Sequence, residues 1–159
     1  MTDHDRVLRD ALGDVLIGGG QHLAIYAGVD RVELEAFRRI LATGGDDLLG
    51  AVYTELEREH CCGRVERLAT RFAAKEAATK ALGTGLRGIG PTEIEVVSEA
   101  NGQPRLRLHG RARERATALR ITSMSVSLTR TSIAAEAFVV ALAADEPVID
   151  SSLRKESTL

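Results

Sequence analysis

The chain has 159 residues, of which 44% are hydrophobic and 28% are charged, so it can bury one sizeable core and a single domain is expected. Its formal net charge of -2 and pI near 6.1 give no case for a nucleic-acid or anionic-membrane partner. No apolar run approaches the roughly 18 residues of a membrane span, and the start of the chain lacks a signal-peptide pattern. A cytoplasmic protein is therefore expected.

The only cysteines are the neighbours Cys61 and Cys62, which cannot connect distant parts of a fold. They are expected to be reduced. His60 precedes them, but consecutive residues seldom converge on one metal ion, and the chain holds no second cluster of such residues. A structural role is therefore favoured over a metal site for this run.

The first elements are predicted from periodicity and breakers. Residues 5–16 fit a short amphipathic helix that the glycines at 18–20 end, so residues 1–22 are interpreted as an N-terminal appendage. Residues 23–29 form an apolar strand-like run that ends at Asp30. A helix is predicted from Asp30 to about residue 41, ended by the polar, glycine-containing stretch at 43–47.

Two further helices are predicted in the middle of the chain. The first begins near Thr54, where Thr54 and Glu57 fit the capping-box pattern, and runs to about residue 60. The second contains an alanine-rich run of high helix propensity around Glu76. Gly83 and Gly85 follow this run and suit the left-handed conformation that ends helices.

The remaining chain predicts four strands and one helix. A turn at 88–91 leads to an alternating strand, and a tight Asn101-Gly102 turn connects it to a half-buried partner strand. The predicted ranges in this half are strands at 93–97 and 104–109, a helix at 110–119, and strands at 123–128 and 134–143. Residues 23–144 would thus form one α+β domain, with a small, mostly antiparallel sheet packed against a long helix. Residues 145–159 are polar and are interpreted as a loose tail.

The most informative residues for function are Glu76 and Lys80, which lie one helical turn apart and therefore share a face. Such a pair is common on helices and is worth only about 0.2–0.5 kcal/mol. Asp30 changes this interpretation, because a carboxylate at the end of a strand can meet another on a helix. Two carboxylates with phosphate oxygens and water form the octahedron that magnesium prefers, and a lysine can bind a phosphate as a point charge. Phosphoryl-type transfer is the chemistry that this set suggests.

Five segments in order carry a resemblance to a known family. They are GVD at 28–30, YTELE at 53–57, RFAAKEAATKALGTG at 71–85, NGQPRL at 101–106 and SVSL at 125–128. Together they resemble the holo-acyl-carrier-protein synthase family of 4'-phosphopantetheinyl transferases, and the resemblance covers about residues 23–143. The segment at 71–85 is highly specific, whereas the strand segments would be weak alone.

This resemblance implies the fold of that family and a defined reaction. Coenzyme A would donate its phosphopantetheine arm to a serine of an apo acyl carrier protein, leaving adenosine 3',5'-bisphosphate. Asp30 and Glu76 would bind Mg²⁺ together with the pyrophosphate, and Lys80 would contact a phosphate. Arg71 and Lys75 are further candidate phosphate contacts.

The resemblance also bears on the glycines and on assembly. Gly83 and Gly85 would let the backbone turn near the cofactor, although simple helix termination explains them equally well. Short members of the family form homotrimers with clefts between subunits. The apolar strand at 137–141 would then lie either at a subunit contact or in the core.

Two positions depart from the pattern of the family. Ser125 and Arg130 stand where histidine is frequent, so neither position supplies an imidazole base. A guanidinium cannot accept a proton at neutral pH, which leaves metal-bound water or a carboxylate such as Asp30 to take the serine proton. Arg130 would either bind a phosphate of coenzyme A or be an exposed turn arginine.

The basic patch that such enzymes offer to acidic carriers is diluted. Arg31, Arg38 and Arg39 remain, but acidic residues surround them at 33, 35, 46 and 47. Weaker steering suggests a carrier other than that of fatty-acid synthesis, such as a polyketide carrier. The alternative function is a non-catalytic relative that binds coenzyme A or a carrier protein. Retention of Asp30, Glu76 and Lys80 together favours the enzyme, because a binding module has less need of a complete metal site.

Overall fold

The computed structural model of the chain describes residues 14–17, 21–85 and 88–144. In chain order the elements are β1 (Asp14–Ile17), β2 (Gln21–Glu33), α1 (Leu34–Val52), α2 (Glu55–Cys61), α3 (Val65–Ala81), a 3-10 turn (Pro91–Glu93), β3 (Ile94–Ser98), β4 (Pro104–Leu108), α4 (Gly110–Ala118), β5 (Ile121–Arg130) and β6 (Ala134–Ala144). The chain therefore has the α+β architecture that the order of its predicted elements indicated.

Two antiparallel sheets make up the β structure. The larger has four strands in the order β1-β2-β6-β5, and β3 pairs with β4 in a separate hairpin. β2 is paired with β6 along most of its length, from Leu23 opposite Ala144 to Glu33 opposite Ala134. This long ladder joins the start of the domain to its end and places β2 beside the central helix.

Helix α3 packs closely on the large sheet because its buried face is made of alanines. Ala73, Ala77 and Ala81 are all at most 2% exposed in the main core. On the sheet side, Gly28 in β2 meets the helix so closely that an added Cβ would lie 1.9 Å from the Ala77 carbonyl oxygen. Small residues on both surfaces thus bring the backbones of helix and strand together.

A second cluster of buried side chains lies between α1, α2 and the first half of α3. It includes Leu34, Phe37, Cys61 and Leu68. Cys61 and Cys62 are both free thiols, as expected, with Cys61 buried and Cys62 exposed. Burial raises the pKa of the Cys61 thiol, so it behaves as a packing residue.

Several local predictions are confirmed. Thr54 accepts a hydrogen bond from the Glu57 amide while the Glu57 carboxylate accepts one from the Thr54 amide, which is the capping box. Glycine at position 102 adopts φ +83° in the turn between β3 and β4. The predicted helix at 110–119 and the last two strands are present, and α3 ends before Gly83, which has φ +68°.

Two predictions about the first half of the chain are wrong in part, and a third is confirmed. Within the predicted helix at 5–16, residues 14–16 belong to strand β1; the rest lies outside the described residues. The predicted helix at 30–41 begins only at Leu34, because the backbone pairing with β6 continues to Glu33 and then Leu34 N donates to the Ile133 carbonyl, 2.9 Å away. The glycine stretch at 43–47 interrupts the helix as predicted, because Gly45 leaves the helical conformation with φ +56° and ψ -150°, and a further helical segment of α1 then runs to Val52.

Within the described ranges, no helix is long and apolar enough to cross a membrane. The predicted tail at 145–159 and the start of the predicted appendage lie outside these ranges. The strand β1 and residues 21–22 pair within the large sheet, so part of residues 1–22 is packed with the domain.

Candidate active site

Asp30 lies within β2, on the side of the strand that faces α3. It is two residues from Gly28, which contacts α3, and alternate residues of a strand share one face. The Lys80 ammonium lies 2.8 Å from Asp30 Oδ1 and also donates to the Val29 carbonyl oxygen at 2.8 Å. The lysine is half exposed, whereas the Asp30 side chain is only 18% exposed. Asp30 and Lys80, 50 residues apart in the chain, therefore meet as an ion pair.

Glu76 lies one turn before Lys80 on α3 and is partly buried. Burial and the nearby charge of Asp30 raise the pKa of the Glu76 carboxyl above its usual value, although Lys80 opposes this shift. Among the described residues, none donates a hydrogen bond to this carboxylate. Glu76 and Asp30 thus form a pair of acidic groups whose mutual repulsion is only partly balanced by one lysine.

This donor set fits Mg²⁺. No group of three or more His, Cys, Asp or Glu residues that could hold a metal is found among the described residues. Magnesium does not require such a cage, since it usually binds through one or two carboxylates, substrate phosphates and water. Burial and, after it, the charge of Asp30 raise the pKa of Glu76, and a bound cation would offset the second of these causes.

Lys75 does not fit its expected role as a phosphate contact. Its side chain is 2% exposed, and its ammonium donates to Glu57 Oε2 at 2.8 Å, to the Pro91 carbonyl at 2.9 Å and to the Ile94 carbonyl at 2.5 Å. A lysine ammonium has three donors, so all are used inside the protein. Lys75 cannot reach a ligand because its side chain points into the protein, whereas the side chain of its neighbour Glu76 is only partly buried and lies near Asp30.

Arg71 and Arg130 line a common cavity of about 540 Å³, which also contains His60 and Arg67. Arg71 is 8% exposed, and its buried Nε atom has no hydrogen-bond partner among the described residues. Arg130 is exposed at the end of β5. Guanidinium groups from α3 and β5 therefore converge on a space of a size suited to an anionic ligand.

The cavity and the carboxylates lie on different sides of α3. Arg71 precedes Glu76 by five positions, and at 3.6 residues per turn their side chains leave the helix about 140° apart. In the sheet, β6 separates β2, which carries Asp30, from β5, which ends at Arg130. The sequence-predicted residues are thus brought together as two sets instead of one.

Gly83 and Gly85 adopt φ values of +68° and +56°, which only glycine reaches without strain. Gly83 N donates to the Lys80 carbonyl at 3.0 Å, and the amide of Thr84 donates to the Thr79 carbonyl at 3.1 Å. These bonds end α3 as predicted. Ser125 lies in β5 opposite Val140, exposed on the sheet.

Sequence reasoning missed two basic side chains that line the cavity and one buried acid. Arg67 lies one helical turn before Arg71, and that spacing is a signal by which the cationic side of α3 could have been found. His60 reaches the same cavity from α2 through folding alone. Glu57, which the capping box explained, is fully buried and binds Lys75.

The arginines expected to attract an acidic partner are all engaged in ion pairs at the surface. Arg31 pairs with Glu33 and Glu136, Arg38 with Glu66, and Arg39 with Glu35. The side chains of these acids are themselves 39–80% exposed. The dilution of the basic patch that the sequence predicted is therefore present in the folded chain.

Comparison with known proteins shows which family the chain resembles. The model of the 4'-phosphopantetheinyl transferase superfamily matches residues 26–143. The holo-acyl-carrier-protein synthase of Herpetosiphon aurantiacus is 42% identical over 125 residues, covering 74% of this chain and 98% of that protein. Among solved structures, the holo-acyl-carrier-protein synthase of Neisseria meningitidis is 32% identical with a TM-score of 0.68, covering 73% of this chain and 96% of that one. The ACPS–CoA complex of Chronobacterium ammoniagenes is 29% identical with a TM-score of 0.67, covering 77% and 99%.

Proposed function

Since the chain belongs to the 4'-phosphopantetheinyl transferase superfamily, we propose that it transfers the phosphopantetheine arm of coenzyme A to a serine of an apo acyl carrier protein, with Mg²⁺ held by Asp30 and Glu76. Adenosine 3',5'-bisphosphate would be the second product. The observation that carries the proposal is the meeting of Asp30, Glu76 and Lys80 from β2 and α3, with Lys80 Nζ 2.8 Å from Asp30 Oδ1. A protein that only bound coenzyme A would have no need of this charged set.

The residues at this site would bind and orient Mg²⁺ and the phosphates of coenzyme A. When bound, Mg²⁺ supplies positive charge to the pyrophosphate oxygens on which charge develops. Asp30 is held against α3 by Lys80, so its carboxylate has a defined direction. Lys80 is half exposed and keeps one face towards solvent, where it can also contact a phosphate.

The serine hydroxyl must lose a proton during transfer, and neither Ser125 nor Arg130 can accept it. Within this site the carboxylates are the side chains able to do so. We assign this role to Asp30, because Lys80 binds its Oδ1 atom and its Oδ2 atom has no hydrogen-bond partner among the described residues.

The arginine cavity would bind another phosphate of coenzyme A. Arg71 and Arg130 present guanidinium groups to it, and the unpartnered Nε of Arg71 favours an anionic ligand. Gly83 and Gly85 have no side chains of their own, and their positive φ values turn the backbone after Lys80, which would let a cofactor approach there.

We also propose that the active form is a homotrimer with each site shared between neighbours. Val29 and Phe138 are register partners on the outer face of the sheet and are 61% and 49% exposed. Covering such an apolar pair is favourable. If one coenzyme A site took residues from two copies of the chain, this would also explain why Glu76 and Arg71 lie on different sides of α3. Light scattering coupled to gel filtration tests the assembly, and a stable monomer would contradict it.

The native carrier is proposed to be other than that of fatty-acid synthesis, such as a polyketide carrier. Arg38 and Arg39 are neutralised by Glu66 and Glu35, so long-range attraction to an acidic partner is weak. A cytoplasmic location is part of the same proposal and accords with the two free thiols. Transfer to a fatty-acid carrier that greatly exceeded transfer to every polyketide carrier at physiological salt would overturn the carrier assignment.

The decisive experiment incubates the protein with coenzyme A, Mg²⁺ and several apo carriers and follows addition of the arm by mass spectrometry. Removal of Mg²⁺ by a chelator and Glu76→Ala should each abolish the product while circular dichroism stays unchanged. Glu114→Ala is the matched control, because Glu114 is an exposed glutamate on α4. Full activity of Glu76→Ala would remove Glu76 from the mechanism, and binding of coenzyme A without transfer would favour the non-catalytic alternative.

A further inference from the structure

Lys75 and Glu76 are neighbours on α3, but their side chains point into different surroundings. Glu76 lies beside Asp30, whereas Lys75 is buried, and its ammonium contacts Glu57 and the carbonyl oxygens of Pro91 and Ile94. Consecutive helical residues point about 100° apart, so these contacts hold α3 from a side other than the one that carries Glu76.

Glu57 is itself tied to two further elements. It is 0% exposed, and its carboxylate accepts hydrogen bonds from the amides of Thr54 and Val96, each at 2.9 Å, besides that from Lys75. Thr54 begins α2, and Val96 lies in β3. The Lys75–Glu57 pair therefore links α3 to α2 and to the β3 strand in one hydrogen-bonded cluster.

The opposite constraint on α3 comes from the large sheet. Gly28 meets the backbone of α3 at Ala77 and Ala81 so closely that no Cβ fits. This contact sets the distance between helix and strand, but a glycine has no side chain that would set the rotation of the helix about its axis. The Lys75 cluster supplies that second constraint.

We propose that Lys75, held by Glu57, is a positioning residue that sets the rotation of α3 and thereby the direction of Glu76 towards Asp30. Side-chain tips lie about 5–6 Å from a helix axis, so a rotation of about 20° moves a carboxylate by roughly 2 Å. Such a movement is large compared with the tolerance of a catalytic site, where about 1 Å can cost 100-fold. This inference rests on the proposed function of Asp30 and Glu76 as the Mg²⁺ ligands.

A purely structural role for the buried pair is the competing explanation. Buried ion pairs can often be replaced without loss of stability, so a variant that lacks both charges can remain folded and be tested. The test uses the double variant Glu57→Gln/Lys75→Met, because Lys75→Met alone would leave the Glu57 carboxylate buried without its cation. Two quantities are measured at a temperature at which circular dichroism shows the variant folded. They are the half-saturating Mg²⁺ concentration in the transfer assay, and the affinity for Mn²⁺ with coenzyme A but no carrier, followed by electron paramagnetic resonance.

We expect the half-saturating Mg²⁺ concentration to rise and the Mn²⁺ affinity to fall, each by about tenfold or more, while KM for the carrier is unchanged. Val52→Ala is the control: Val52 is a core residue of the second cluster, so this variant should unfold at lower temperature with unchanged Mg²⁺ dependence. Wild-type Mg²⁺ dependence and Mn²⁺ affinity in the folded double variant would overturn the proposal.

Lys75→Arg keeps the cation but cannot direct three donors from one atom, and it should change Mg²⁺ dependence in the same direction and less strongly. If the double variant fails to fold, this variant decides alone, and wild-type Mg²⁺ dependence then overturns the proposal. Failure of the proposed function can be told apart from failure of the positioning role of Lys75, because in the first case the wild-type protein itself would transfer no phosphopantetheine arm to any carrier.

Discussion

The contact between Gly28 and α3 allows a quantitative prediction for Gly28→Ala. The new Cβ would lie 1.9 Å from the Ala77 carbonyl oxygen and 2.8 Å from the Ala81 amide nitrogen. Cβ atoms essentially never approach another heavy atom within 3.0 Å, so the helix must retreat from the strand by about 1 Å or more. Both colliding atoms belong to the backbone, and no change of rotamer can relieve the overlap.

Overpacking of this kind costs about 1–3 kcal/mol, and a collision with backbone places the cost at the upper end. The loss of chain entropy in the unfolded state offsets about 0.4–1 kcal/mol of it, so the expected net destabilisation is roughly 2 kcal/mol. Asp30 is two residues from Gly28, whereas Glu76 and Lys80 move with the helix. A displacement of about 1 Å between them should lower kcat/KM about 100-fold.

Urea unfolding followed by circular dichroism measures the free energy, and the mass-spectrometric transfer assay measures kcat/KM. Gly50→Ala is the matched control, because Gly50 lies in α1 and the added Cβ would meet no atom within 4 Å apart from its chain neighbours and the backbone of its own helix. That variant should be more stable by about 0.5–1 kcal/mol and fully active. A Gly28→Ala protein with the stability and activity of the wild type would contradict the predicted collision between β2 and α3.

Three further predictions concern Glu76, Glu95 and Thr54. Glu76→Gln should raise the free energy of unfolding of the Mg²⁺-free protein at neutral pH, because burial and the charge of Asp30 raise the pKa of Glu76. In urea titrations this gain in free energy should vanish below about pH 4, where the carboxyl of the unfolded chain is also protonated. The same variant should lose transfer activity. The pKa of Glu95 is lowered, since hydrogen bonds from Thr54 and His109 outweigh its burial, so Glu95→Gln should destabilise most above about pH 4 and progressively less as the pH falls through the folded-state pKa in the same titrations. Thr54→Ala removes the cap of α2 and should lower the free energy of unfolding by about 1–2 kcal/mol, with no such loss for Thr117→Ala at the exposed end of α4.

Local signals in the sequence predicted most elements. The capping box at Thr54, the Asn101-Gly102 turn and the alanine-rich α3 each involve residues within a few positions of one another, so the chemistry of a short segment suffices. The extension of β2 to Glu33 could not be predicted in this way. Its backbone is held by β6, about a hundred residues later, and the apolar spacing after Asp30 also fits a helix.

At the candidate site, too, some features could be predicted from the sequence, and others depend on contacts between distant segments. Asp30, Glu76 and Lys80 were identified from residue type, spacing and the resemblance, and the structure brings them together. Lys75 was misassigned because a basic residue in an otherwise helical pattern carries no mark of the side on which another element packs. The buried partner of Lys75 is Glu57, 18 residues earlier in the chain.

Residue types and their spacing along the chain suffice to identify the chemical groups of this protein: two carboxylates and a lysine, and an alanine-rich helix that ends at glycine. Which of the two lysines near Glu76 faces the site follows from how the helices and strands pack. Lys80 lies at the open edge of α3 against β2, whereas Lys75 lies beneath α2 and β3. The physical reason is that helical periodicity sets the angle between side chains, but packing against other elements decides which angle is buried and which is open to a ligand.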